Sequence, residues 1–425
     1  MKKILILYPH FPPSNLAGVH RPRLFAQHLP EFGWEPIVLT VQEKYYEEEP
    51  DLNLVKLVSS NLRIEKVSAY PLTRPRLIGD IGLRAFLQLY KKAKELIRNE
   101  KIDFLYISIP SFYCALLGRL LNRNTGIAYG IDYIDPWVHT FPGSDKLFSR
   151  HWFSTKLARL LEPIAIKKAS LITGVATGYF SPVLERNPHL KKSAVTGEMP
   201  YGGELQDHEI LSTLNIPAYL FKKNGKMKMV YAGAMLPKSY GLLEALFRNI
   251  DSNRDLYTQA EFHFIGTGKT ADDPEGYNIK SLAQRYGLWQ TIIFEYPKRI
   301  PYLDVLVHLN EADGIFILGS TERHYTPSKT YQGVLSGKPL LAILHKDSTA
   351  VEIIRQSAAG LVLDFNGETE VGKIEKGFTD FFLDYRAFLK VFSHEQVNKD
   401  IFQKYSARNV THQLSILLSK CIEFK

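Results

Sequence analysis

Cysteine is nearly absent from this 425-residue chain: only Cys114 and Cys421 occur, far apart in sequence, so no disulfide framework is available. Long hydrophobic runs are missing too. No uninterrupted apolar stretch approaches the roughly 20 residues that a membrane-spanning helix needs. The opening MKKILILYPHFPP has two lysines and a short apolar run that a proline ends, too little for the apolar centre of a signal peptide. It reads as a first β-strand, and the expectation is a cytosolic protein without structural disulfides. Low-complexity tracts and internal repeats are also lacking. The net charge is +9, yet no block of consecutive basic residues dominates. A diffuse positive field suits phosphorylated substrates or an anionic membrane, and nucleic acid is not an expected partner.

What is present is the make-up of a globular protein, with 45% hydrophobic and 23% charged residues. This length exceeds one ordinary core, so two domains are expected. Short apolar runs (KKILILYP, EPIVLT, DFLYISI, GIAYGI, SLITGV) alternate with segments of helical spacing such as RPRLFAQHLPEF and RAFLQLYKKAKELIRNE. That alternation predicts an α/β fold, a parallel sheet with helices on both faces. The pattern lapses over the polar stretch 203–226 and restarts with MKMVYAGA, AEFHFIG, TIIFEYP, GIFILG, PLLAIL and GLVLDF. Domains at 1–205 and 226–400 are therefore predicted, with a linker at 206–225 and an amphipathic closing helix within 401–425.

In open parallel sheets ligands gather beyond the carboxyl ends of the strands, so the loops that follow strands carry the functional reading. GTGKT at Gly266–Thr270 imitates a phosphate-binding loop, but His263 stands where that motif needs its first glycine, and the acidic ADDPEG follows where a helix should open. A tight glycine turn is the better reading. After the first strand come a proline-rich loop, Gly18 and a helix with Arg21 and Arg23; a glycine there lets a backbone approach a phosphate, and a capping glycine beside two solvated arginines is an equal rival. The second half opens likewise. A strand ends at Gly233 and a loop brings Lys238, placed either for a diphosphate or simply at the surface. In TPSKTYQGVLSGKPLLAIL, Pro327 in a first turn leaves free N–H groups, Ser328 and Lys329 add a hydroxyl and a charge, and Lys329, Gln332 and Ser336 share one helix face. This combination predicts an anion site.

These segments, together with IDYIDPW, HFIGTG and IPYLDVLVHLNEADGIFIL in the same order, make the chain resemble the GT-B glycosyltransferases, and within them the bacterial retaining branch grouped as family 4. The resemblance spans most of the chain. It implies two Rossmann-like parallel-sheet domains facing across a cleft, the C-terminal one holding a nucleotide-sugar donor (a UDP-sugar) and the N-terminal one most of the acceptor. By position, Gly18, Gly233, Ser328 and Lys329 would meet the donor phosphates with Lys238, and Arg299 would pass near the nucleobase. The family's companion arginine is Ala234 here. Its two acids, eight residues apart, are His324 and Gln332, with Glu322 close enough to stand in for the first if the loop is shifted. Ribose would then meet an amide where relatives offer a carboxylate.

On the acceptor side, YGIDYIDPWVHTFPG groups Asp132, Asp135, Trp137 and His139, a set suited to sugar hydroxyls and a sugar's apolar face; Asp132 and Trp137 are as readily structural. The adjacent KLFSRHWFSTKLARLLEPIAIKKA is basic and aromatic-bearing. It is either a surface for anionic lipid or a core-packed helix with a solvated basic face. The expected activity is retaining transfer of a sugar from a nucleotide-sugar to a glycan or lipid-linked glycan in surface polysaccharide biosynthesis, with Lys238, Lys329 and Asp135 as the catalytic residues. No cofactor or metal is expected, because there is no Asp-x-Asp pair and no convincing histidine ligand spacing. The expected place is the cytoplasm, with peripheral contact at the inner face of the membrane. The alternative is a catalytically degenerate GT-B protein that binds nucleotide or glycan without turnover, motivated by His324 and Gln332.

Overall fold

The structure is a computed structural model; it describes residues 1–423 except 74, 75, 77, 139–145, 269 and 271. The chain divides into two units, Met1–Tyr201 with Ala407–Lys425, and Gly202–Ser406.

The first unit is built on seven parallel strands: β1 (Lys2–Leu7), β2 (Trp34–Val41), β3 (Arg63–Val67), β4 (Phe104–Ile109), β5 (Ala128–Tyr133), β6 (Leu171–Gly174) and β7 (Val195–Glu198). Their order is β3-β2-β1-β4-β5-β6-β7. The central strands are near-continuous apolar runs because both faces of the sheet are covered. Along β1 the two-residue period sends Leu5 and Leu7 to one core and Ile4 and Ile6 to the other. The closing helix, Ala407–Glu423, belongs here: Val410, Leu414 and Leu418 join Ile4, Ile6 and Phe25. Strands β3 and β7 have no counterpart in the sequence reading. They are the sheet's two edges, largely polar and only partly buried, which is how exposed edges are kept from pairing with other chains.

The second unit holds six parallel strands: β8 (Met227–Ala232), β9 (Ala260–Ile265), β10 (Ile293–Tyr296), β11 (Gly314–Leu318), β12 (Leu340–His345) and β13 (Gly360–Phe365), in the order β10-β9-β8-β11-β12-β13. The helices Tyr240–Ser252 and Val371–Val391 pack Leu246, Ile250, Phe378 and Phe382 against Phe262 and Phe316 of its sheet. The segment 206–225 is no linker. Leu205–Glu209 and Leu211–Leu214 are helical, the Tyr302 hydroxyl donates to Asp207 at 3.0 Å, and the backbone N–H groups of Tyr219 and Leu220 both donate to His308 Nε2 at 3.1 Å.

Both sheets change direction in the same way. The chain builds outward from β1 to β3, then returns to the other side of β1 with β4; β8 and β11 repeat this step. At such a switch point the loops after the two neighbouring strands diverge and leave a crevice at the carboxyl edge, where ligands bind.

Candidate functional site

In the second unit the switch lies between β8 and β11, and the loops after those strands carry Lys238 and Glu322. Gly233 ends β8 with a φ of +148°, a conformation side chains rarely adopt. The turn is pinned by the Tyr231 hydroxyl, which donates to the Ala234 carbonyl at 3.0 Å. The loop is tied to the end of β11 twice: Ser239 Oγ donates to the Gly319 carbonyl at 2.6 Å, and Thr321 N–H donates to the Lys238 carbonyl at 3.2 Å. Lys238 Nζ lies 3.8 Å from Glu322 Oε1, both side chains about one-third exposed (38% and 29%). A pair this open is weak and exchangeable. Glu322 therefore holds the Lys238 ammonium in place without neutralising it against a stronger anion.

The helix expected from Pro327 runs from Lys329 to Leu335, with Ser328 before it and the Pro327 carbonyl accepting from Thr330 N–H at 3.1 Å. Tyr331 and Val334 face the core, and Leu335 is half-buried. Lys329 sits over the Tyr302 ring, 5.8 Å from its centre. Burial pushes its ammonium down to about 8, and the Arg299 charge adds to the shift. Like charges gathered at low solvation create a demand for an anion. Lys329 has no ion pair among the described residues, and Arg299 precedes the helix Tyr302–Glu311 on the loop after β10.

Gln332 departs from its expected role. Its Oε1 accepts from His208 Nε2 at 2.9 Å, and both residues are buried. Burial holds His208 below its ordinary range, the Gln332 bond opposing that shift. The carbonyl expected to meet ribose is thus engaged inside the unit, and the amide group is what Gln332 retains for a ligand. His324 is half-buried in the loop between Glu322 and the helix. The chain bends at Gly266, with a φ of +71°, and Gly268 N–H donates to the Pro297 carbonyl at 2.9 Å; Thr267 Oγ1 donates to Glu295 Oε1 at 2.7 Å, and Glu295 caps the helix Lys280–Arg285 by accepting from Ile279 and Lys280 N–H, both at 2.9 Å.

In the first unit the switch lies between β1 and β4. Gly18 is close-packed rather than open: a Cβ there would come within 2.2 Å of the Tyr8 hydroxyl. Arg21 and Asp132 remove each other from the ligand set. Arg21 Nε and Nη2 donate to Asp132 Oδ2 and Oδ1 at 2.5 and 2.8 Å, and Arg21 Nη1 donates to the Met199 and Pro200 carbonyls at 2.5 and 3.1 Å. Thr173 and Ser108 hydroxyls fill the carboxylate's other sites at 2.9 and 3.4 Å. A carboxylate offers about four lone-pair directions, and all are used; Asp132 is a structural ion, not an acceptor contact. Trp137 is likewise core, 6% exposed and stacked on Phe112 at 5.9 Å and 6°. Asp135 is exposed, and its charge reinforces burial in raising the Tyr8 hydroxyl. His139 lies outside the described residues.

The sequence reading missed His10 and Glu48. His10 follows β1, and its Nδ1 lies 2.9 Å from Glu48 Oε1; Ser14 Oγ also donates to that oxygen. The Tyr46 ring packs against the imidazole, ring centres 5.0 Å apart and tilted by 32°. Burial would raise the Glu48 carboxyl, but the bonds from His10 and Ser14 and the imidazole charge bring it down to about 2. A carboxylate on Nδ1 fixes the ring and leaves Nε2 without a partner among the described residues, able to accept a bond from a hydroxyl when the ring is neutral and to donate one when it is protonated. The signal available was position alone, a histidine in the loop after a central strand.

Among the described residues no group of three or more His, Cys, Asp or Glu side chains is gathered as a metal would require. No family model matches the chain, and no curated protein matches it in sequence. Solved structures do match over the whole length. Sucrose-phosphate synthase from Thermosynechococcus elongatus aligns at 14% identity with a TM-score of 0.65, covering 100% of both chains. The chain has the GT-B fold. An α,α-trehalose-phosphate synthase (UDP-forming) from Burkholderia xenovorans, in complex with glucose-6-phosphate, aligns at 10% identity and a TM-score of 0.66, covering 99% of this chain and 100% of that one. Anabaena HepE in complex with UDP-glucose gives 14% and 0.63 with the same coverage. At such identities the GT-B fold is what the likeness carries.

Proposed function

We propose that this GT-B protein is a glycosyltransferase that moves a sugar from a nucleotide-sugar, a UDP-sugar, to a hydroxyl of a glycan or lipid-linked glycan in surface polysaccharide biosynthesis. The observation that supports it most is Lys329, a lysine pushed to about 8 by burial and by Arg299, at the carboxyl edge of the sheet that also carries Lys238. A donor diphosphate would supply the anion that Lys329 lacks and that Lys238 meets only in its open pair with Glu322. GT-B neighbours in complexes with UDP-glucose and glucose-6-phosphate agree with this class of ligand.

In this reading Lys238 and Lys329 stabilise the charge that builds on the leaving diphosphate, with no metal and no cofactor. The configuration at the anomeric carbon is retained, the leaving diphosphate taking the acceptor's proton on the same face while the enzyme aligns the partners. His10, oriented by Glu48, accepts a hydrogen bond from an acceptor hydroxyl, and Asp135 contacts the acceptor. The enzyme works in the cytoplasm. Gln332 favours a second reading, a GT-B protein that binds nucleotide without turnover, because its carbonyl is held by His208. Titration with UDP, GDP and ADP, followed by assay of nucleotide release from their sugars, separates the two. Transfer predicts UDP binding and UDP release; the degenerate reading predicts binding alone. Lys329→Ala is expected to weaken UDP binding by about 1.5–3 kcal/mol, the loss of a bond to a charged group. Unchanged affinity would sink the site assignment.

A further inference from the structure

The helix Arg150–Ile166 of the first unit turns an apolar face to solvent. Phe153, Leu157, Leu160 and Ile164 are 41–64% exposed. Their spacing of four, three and four residues places them within an arc of about 60° on one side of the helix. Ala158, Glu162, Ala165 and Ile166 occupy the opposite, buried side. Before the helix, Leu147 and Phe148 are 70% and 76% exposed, and Phe148 has a φ of +61°. A bulky side chain in that left-handed conformation is a strained choice, and no burial repays it. Phe148, Trp152 and Phe153 form an aromatic cluster with ring centres 5.0–6.3 Å apart.

Among the described residues 146–168 the exposed charge has one sign. Lys146, Lys156, Arg159, Lys167 and Lys168 are exposed, whereas the one acid in residues 146–168, Glu162, is buried and paired with Arg186 at 2.6 Å. Lys156 lies over the Trp152 ring at 5.6 Å. Among the described residues no helix is long and apolar enough to cross a membrane.

We propose that this face docks the chain on an anionic phospholipid surface, with the aromatic cluster and the leucines entering the headgroup boundary and the lysines and arginine meeting lipid phosphates. Apolar side chains rimmed by basic ones are the composition of helices that lie in a membrane interface. A protein partner fits less well, because lysine is depleted from the cores of protein interfaces. A second copy fits worse: packing the face on itself would oppose two sets of like charges. The proposal is independent of the glycosyltransferase reading, since it concerns where the chain sits and not what it transfers.

Co-sedimentation with phosphatidylcholine vesicles, with and without about 30% phosphatidylglycerol, tests it. Binding is expected to the anionic vesicles, at least about tenfold tighter than to phosphatidylcholine alone, and to weaken as salt is raised from 0.1 to 0.5 M. Lys156→Glu with Arg159→Glu should lower the partition coefficient by at least about 25-fold, from about fivefold per basic residue near the surface. Leu160→Ser with Ile164→Ser should also release the protein; all four side chains are exposed, and an unchanged melting temperature verifies that the fold survives. Leu160→Trp should show a blue-shifted emission only with anionic vesicles. Absence of vesicle binding, binding indifferent to these substitutions, or a dimer in solution that Leu160→Ser dissolves would each overturn the proposal.

Discussion

If Lys329 is a phosphate ligand whose ammonium is held at about 8 in the free protein, nucleotide binding must depend on pH in a calculable way. A bound diphosphate supplies the missing anion and returns the ammonium toward its ordinary range near 10.5. In the free protein the protonated fraction falls from about 0.9 at pH 7 to about 0.1 at pH 9, while the complex stays protonated. The UDP dissociation constant should therefore rise about tenfold between pH 7 and pH 9, equivalent to about 1.4 kcal/mol. The UDP phosphates are already ionised across this range and contribute little. Calorimetric titration at pH 8.5 in two buffers of different ionisation enthalpy measures the same linkage directly, with an expected uptake of about 0.75 proton per UDP bound. Lys329→Ala should abolish both the uptake and the pH dependence. The free protein obeys the matching sign: its folded value lies below the ordinary one, so the unfolded chain binds more protons between about pH 8 and 10.5, and stability rises with pH through that window. The gap is worth at most about 3.4 kcal/mol. A dissociation constant that is flat from pH 7 to 9, with no proton uptake, would refute the placement of Lys329 at the diphosphate.

Other substitutions probe the first unit. The Glu48 carboxyl is depressed to about 2, so its contribution to stability is present above about pH 4.5 and lost as pH falls toward 2; the gap in melting temperature between wild type and Glu48→Gln should close over that interval. Asp132→Ala leaves Arg21 buried without its partner and should cost about 3–5 kcal/mol in denaturant unfolding, whereas a surface acceptor contact would cost almost nothing. Gly18→Ala forces the Tyr8 hydroxyl aside and should cost about 1–3 kcal/mol, and pairing it with Tyr8→Phe should recover part of that loss. His208→Ala strands Gln332 Oε1 inside the second unit, for a loss of about 1–3 kcal/mol.

Eleven strands were legible in the sequence because each is an apolar run between turn signals, and β3 and β7 were not because RIEKV and VTGE are edge strands whose polar residues suit partial exposure. The residues proposed for the donor could be picked out for a related reason: Ser328 and Lys329, proposed for the phosphates, and Gln332, expected at the ribose, lie on one short segment, and Lys238 lies just beyond the end of a strand. What local pattern could not decide was partnership. Arg21 stands on the helix that follows β1 and Asp132 near the end of β5, both near the carboxyl edge of the sheet, where ligands gather, and each alone reads as a contact waiting for one. They are 111 residues apart, and once placed together with the Thr173 and Ser108 hydroxyls they saturate each other. Gln332 and His208, 124 residues apart, make the same point in the second unit. Lys329 is the contrary case: its surroundings bring an aromatic ring and a second cation but no carboxylate among the described residues, so folding sharpens its need for an anion. A charged residue near the carboxyl edge of a sheet thus becomes a structural ion, or stays a candidate for a ligand, by whether the fold supplies the opposite charge.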